Sequence, residues 1–110
     1  MRGGPRSIED WRPIFAKVRY RISQVVRRAR MNRRSFQRNF KSRVGMSLRD
    51  AIKECRFEHA RKLIALGYTN PEIARKLGFA DAVHFCHAFK NYCRQSPQSL
   101  APRWRRRGGQ

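Results

Sequence analysis

The chain has 110 residues and a formal charge of +20, from 27 Lys and Arg against 7 Asp and Glu. That length suits one domain with a single core and excludes a binding domain joined to a separate sensor domain. A hydrophobic content of 40% with 11% aromatics excludes a disordered basic tail, and no apolar run approaches the roughly 18 residues that a membrane span needs.

An excess of cations on this scale is a statement about partners: a polyanion, either nucleic acid or an anionic membrane surface. The opening MRGGPR has the charge of a signal-peptide start, but no apolar stretch follows it, so export is not expected. Cys55, Cys86 and Cys93 are odd in number and form no CxxC pair, and they read as reduced, intracellular packing residues.

Met1 to Arg6 is a flexible basic arm of Gly, Pro and Arg. Ser7-Ile-Glu-Asp10 is a capping-box variant that opens a helix, and Pro13 either interrupts that helix or begins a new one in its first turn. Ile14, Val18, Ile22, Val25 and Ala29 then recur at helical spacing, with no Gly, Pro, Asn or Asp before Arg30. Periodicity alone makes this one helix or two closely joined ones. Asn32 is a good N-cap, and Gly45 a good residue just past the end, for a short helix between them.

Leu48 to Leu66 is the longest clean helix, started by Ser47-Leu-Arg-Asp50. Leu48, Ile52, Cys55, Leu63 and Leu66 form its apolar side, and Phe57, Ala60 and Ile64 widen it, an arc broad enough for a connector that packs against two bodies. Arg56 lies within that arc and calls for a carboxylate or backbone carbonyls to hold its charge. Gly67 ends the helix. Thr69-Asn-Pro-Glu72 is a capping box for a short helix to Leu77, Gly78-Phe79 makes a turn, and Asp81 caps a helix from Ala82 to about Arg94. Ser96-Pro97 stops it, and a basic tail follows at 102–110.

The helix after Asn32 is the informative one. With Phe36 at zero on a 100° wheel, Phe40 falls at about 40° and Val44 at about 80°, while Gln37, Lys41, Arg34 and Arg38 fall between about 100° and 200°. It therefore has an apolar back and a front of guanidinium, ammonium and carboxamide groups, the chemistry that reads guanine and adenine edges and neutralises phosphates. An ordinary solvated basic face would look the same on this helix alone.

A repeat separates the two. At an offset of 49, Phe36, Phe40, Lys41 and Ser47 match Phe85, Phe89, Lys90 and Ser96. At an offset of 48, Val25, Val26 and Met31 match Ile73, Ala74 and Phe79. Each half is thus a short helix, a tight turn and a capped helix, the helix-turn-helix arrangement. The chain divides into a first helix-turn-helix subdomain at 7–46, a connecting helix at 47–66 and a second subdomain at 67–101.

The pattern Phe36-x-Arg38-x-Phe40-Lys41, Gly45-x-Ser47, Arg56-Phe57, Ala60 and Leu63-Ile64, followed by Glu72-Ile73-Ala74, Gly78-Phe79-x-Asp81, Phe85, Phe89-Lys90 and Ser96-Pro97, resembles the AraC/XylS family of transcriptional regulators. The likeness covers roughly residues 22 to 97, and without a sensor region the chain is most similar to the small stand-alone members of the MarA and SoxS type. The resemblance implies an all-α, homeodomain-like fold of about seven helices, in which two helix-turn-helix subdomains are joined by a long connecting helix. It also implies a cytoplasmic, nucleoid-associated regulator, with activation the expected direction, that binds double-stranded DNA as a monomer and contacts RNA polymerase. The third and sixth helices are then the recognition helices, entering successive major-groove segments about 34 Å apart on an asymmetric promoter site of about 20 bp.

The family's base-reading positions fall on Arg34, Gln37 and Arg38 of the first recognition helix. In the second, the equivalent stripe is Val83, Cys86, His87 and Lys90, with Ala82 and His84 beside it. That set has few bidentate donors and suits thymine methyls, positioning and shape readout. Arg33 (at about 60° on the wheel, toward the core side), Lys41, Lys90, Arg103, Arg105 and Arg106 are expected to meet phosphates, as are Arg2 and Arg6. Arg30 and Arg94 stand where the family commonly has Gly.

Three rival readings compete with this one. A zinc site at His84, Cys86, His87 and Cys93 lacks a second ligand pair spaced to close a tetrahedron, so no metal is expected. An enzyme lacks a nucleophile–base pair, and no cofactor is implied. A basic nucleoid- or RNA-associated structural protein, or the DNA-binding module of a mobile element, stays open on charge alone.

Overall fold

The computed structural model describes residues 7–104, so the arm at 1–6 and the tail residues Arg105 and Arg106 lie outside the described residues. Six helices follow one another: α1 (Ile8–Lys17), α2 (Ile22–Ala29), α3 (Arg33–Val44), α4 (Leu48–Ala65), α5 (Asn70–Leu77) and α6 (Ala82–Cys93), then a 3-10 turn at Pro97–Leu100. Among the described residues there is no strand, and the fold is all-α and homeodomain-like. The chain gathers into two compact units that divide within α4, between Arg56 and Phe57.

Side-chain caps decide where the helices begin. Each takes up backbone N–H groups that the first turn leaves without a partner. Asn32 Oδ1 accepts from the Ser35 amide at 2.9 Å, Ser47 Oγ from Asp50 at 3.1 Å, and Asp81 Oδ1 from His84 at 2.8 Å. Thr69 and Glu72 form a reciprocal box: the Thr69 amide donates to Glu72 Oε1 at 2.8 Å and the Glu72 amide donates to Thr69 Oγ1 at 3.3 Å. At α1 the Ser7 amide and hydroxyl donate to the Asp10 carboxylate, at 3.4 and 3.3 Å.

The repeat is more complete than side-chain matching shows. α3 and α6 are both 12 residues long and start 49 positions apart, while α2 and α5 are both 8 residues long and start 48 apart. The offset of 48 also carries α1 onto the second half of α4. Both end in the same pair of closing hydrogen bonds, Arg19 N–H to Ala16 O with Tyr20 N–H to Phe15 O, and Gly67 N–H to Ile64 O with Tyr68 N–H to Leu63 O. Each unit is therefore a three-helix body, and the second takes its first helix from the C-terminal part of α4.

Two local expectations are corrected and one left open is resolved. Pro13 neither breaks nor restarts a helix but sits inside α1. It is exposed, so the Glu9 carbonyl that loses an amide donor lies toward water, while Trp11 and Phe15 hold the helix to Phe36 and Phe40 of α3. Of the two readings of the periodic run after Pro13, two closely joined helices is the one observed, and the joint is made without any glycine, by Arg19 (φ 53°) and Tyr20 (φ 61°) in the left-handed region. Burial of the Tyr20 ring, 6% exposed, offsets the conformational cost of that turn. Leu66, assigned to the connector's apolar side, lies past the helix end and is 69% exposed.

Tyr20 and the half-buried Arg56 also influence each other electrostatically. Burial, followed by the neighbouring Cys55 charge, pushes the phenol up to about 12, with Arg12 and Arg56 opposing. Burial in turn lowers the Arg56 guanidinium, and the negative form of Tyr20 opposes that shift. A folded-state pKa above the unfolded value of about 10 gives stability that is complete below pH 10 and lost as pH rises toward 12. Urea unfolding between pH 9 and 12 is therefore expected to show a decline in the native protein that Tyr20→Phe lacks, whereas parallel curves would contradict this account.

Candidate nucleic-acid interface

In the first unit, Trp11, Phe15, Phe36 and Phe40 form one aromatic cluster, with ring centroids 5.4 to 6.2 Å apart. Phe36 and Phe40 are buried at 5% and 2% exposure. Two anchors one turn apart fix the rotation of α3 about its axis, so the opposite face must point outward. Arg34, Gln37, Arg38 and Lys41 are all exposed on that face. Arg33, the first residue of α3, is exposed too rather than turned to the core.

A groove of about 610 Å³ runs beside this face, lined by Gln37, Arg38, Lys41, Ser42, Ser47, Leu48 and Arg49. It exists because Gly45, at φ 93°, reverses the chain after α3 and brings the start of α4 alongside. Arg49 was missed in the sequence, where it is one more cation on a solvated helix. Only the turn geometry sets it beside Arg38 and Lys41, and Gly45 is the one signal that pointed to it.

The second unit repeats the anchoring with different surface chemistry. Phe79, Phe85 and Phe89 pack in series at 5.3 and 5.6 Å, and Phe57 joins them through Phe79 and Phe89 at 6.0 Å. Facing outward on α6 are Val83, 64% exposed, with His84, His87 and Lys90. His84 also stands edge-on to Phe79 at 5.6 Å. Ala82 and Cys86 are half-buried. Cys86 Sγ accepts a hydrogen bond from Asn70 Nδ2 at 3.3 Å, and burial raises its pKa, so the thiol stays protonated and is engaged with α5. α6 therefore presents apolar and imidazole groups where α3 presents guanidinium and carboxamide.

Charge follows the same division. Residues 7–56 carry fifteen Lys and Arg against four Asp and Glu, while residues 57–104 carry seven against three. Arg103 is exposed near the end of the described residues. Among those residues no three His, Cys, Asp or Glu side chains come together to hold a metal ion, and no helix is long and apolar enough to cross a membrane.

The sequence profile of a helix-turn-helix domain family matches residues 25–103. The chain is 37% identical over 86 residues to the HTH-type transcriptional regulator GlxA of Rhizobium meliloti, covering 77% of this chain and 25% of that protein. It is 29% identical over 76 residues to the transcriptional regulatory protein HptR of Staphylococcus aureus, covering 69% of this chain and 30% of that one. An uncharacterised response regulatory protein of Staphylococcus epidermidis is 37% identical over 60 residues, 54% of this chain and 24% of its own. The chain thus spans 24 to 30% of the length of these curated relatives. No solved structure matches it.

The caps that seat the two outward-facing helices should be worth about 1 kcal/mol each. Asn32→Ala and Asp81→Ala are each expected to lower unfolding free energy by that amount in urea titrations, and an unchanged midpoint would remove capping as the determinant of where α3 and α6 start.

Proposed function

We propose, for a chain that belongs to the AraC-type family of helix-turn-helix domains, that it binds double-stranded DNA sequence-specifically and regulates transcription, most directly as an activator. α3 and α6 are its recognition helices. They enter successive major-groove segments, about 34 Å apart along the duplex, on an asymmetric promoter site. It acts as a monomer on DNA in the cytoplasm, and RNA polymerase is its second partner. These last assignments come from the family.

The observation that carries this reading is a duplicated three-helix unit whose two outward faces differ, Arg34, Gln37 and Arg38 on α3 against Val83, His84 and His87 on α6. Bidentate guanidinium suits guanine O6 and N7, and a carboxamide suits adenine N6 and N7, so α3 carries most direct base readout. The α6 face offers Val83 and Ala82 to thymine methyls and His84 and His87 to a base edge or phosphate. Its contribution is positioning and shape readout, with Cys86 acting from behind that face. Arg33, Lys41, Lys90 and Arg103 hold phosphates, with Arg105 and Arg106 in the tail, and Arg49 joins them across the groove from Arg38.

Two measurements test this. Arg38→Ala is expected to cost about 1–3 kcal/mol on the preferred site and to relax preference at one base pair, and an equal loss on all duplexes would make Arg38 a phosphate contact instead. If six to ten phosphates are held, log K plotted against log salt should fall with a slope of about −5 to −9, and a flat line would overturn duplex binding altogether.

A further inference from the structure

The repeat exposes an exchange at the helix ends. Three left-handed positions are filled by glycine in one unit and arginine in the other: Gly67 and Arg19 after the first helix, Gly78 and Arg30 after the second, Gly45 and Arg94 after the third. The fold needs only a positive φ at these points, and glycine supplies it without strain. At Gly45, the counterpart of Arg94, an added Cβ would meet nothing within 4 Å, so the backbone angle alone recommends glycine there. At Gly67, the counterpart of Arg19, a Cβ would come within 2.5 Å of the Trp104 ring, so that unit has a second reason to keep glycine.

The arginines therefore sit where their own twin unit shows that no arginine is required for folding. All three are exposed, and none has an acidic partner among the described residues. Their places in the unit differ. Arg19 is in the loop between the first and second helices, and Arg94 is at the C-terminal end of the third. Those are the two places where a three-helix domain of this kind meets the DNA backbone. Arg30 is in the turn between the second and third helices, which is neither of those two places.

We propose that Arg19 and Arg94 are backbone anchors, each holding a DNA phosphate from a left-handed helix end, one in each unit. The inference rests on the duplex-binding reading above. A phosphate contact carries no sequence information, so it acts on every duplex alike. It also sets stability against function: the same guanidinium that grips the duplex occupies a backbone conformation that glycine would relax. Arg30 supplies the reference, because its replacement releases the same strain and removes the same charge from outside those two places.

The test uses the full chain and a fluorescent duplex of arbitrary sequence, with binding followed across a salt series and folding followed by heat. Arg19→Gly and Arg94→Gly are each expected to raise Tm by about 3–5 °C and to shorten the salt slope by about 0.9, with affinity falling roughly three- to tenfold at low salt. Arg30→Gly is expected to raise Tm alike while leaving the slope in place. Arg19→Lys and Arg94→Lys, which keep the charge, should keep the slope. If Arg19→Gly and Arg94→Gly behave as Arg30→Gly does, the anchors are overturned while duplex binding stands. If the unaltered protein shows no salt-dependent binding, duplex binding itself fails, and that result appears before any substitution is made.

Discussion

The pair of phenylalanines one turn apart on each outward-facing helix is the contact on which the rest depends. Phe36 and Phe40 in one unit, and Phe85 and Phe89 in the other, are all buried to 5% exposure or less. A 12-residue helix is too short to be stable on its own in water, so its persistence comes from this packing rather than from propensity. The same two contacts set the helix's rotation and thereby choose which side chains face out. Removing either ring would cost a unit of about fifty residues several kcal/mol, comparable with what such a small body has to lose.

From that shared frame the two units have diverged in surface. The first spends its outward face on guanidinium and carboxamide and carries most of the charge. The second shows Val83 and imidazoles, and tucks Cys86 against Asn70. Two unlike faces on one chain suit the asymmetric site proposed above, because each half of a palindrome presents the same groups. The groove beside α3 adds a further element, since Gly45 folds Arg49 back toward Arg38 and Lys41 and thickens the cationic edge of its outward face.

Much of this was legible in the chain. Caps at Asn32, Ser47, Thr69 and Asp81, the glycines at 45, 67 and 78, and the doubled phenylalanine spacing each carry a local physical reason, and local reasons survive in sequence. What escaped it depends on tertiary contact. The turn at Arg19 and Tyr20 has no glycine to announce it, because the buried Tyr20 ring holds a conformation that sequence rules assign to glycine. Pro13 lies within α1 because its missing hydrogen bond faces solvent. The extension of the repeat into α1 and late α4 was hidden because Trp11 and Phe15 align with His59 and Leu63, which share a packing role but little chemistry. Arg49 was an ordinary surface cation until the fold placed it.

The central claim is that two unlike faces on one duplicated frame read one asymmetric duplex. Selection of bound duplexes from a random-sequence pool, followed by sequencing, tests it most directly. The account predicts one enriched, non-palindromic motif with two blocks spaced by about one helical turn, the more constrained block rich in the guanine and adenine that α3 can pair. Recovery of no motif, or of a palindrome, would contradict it.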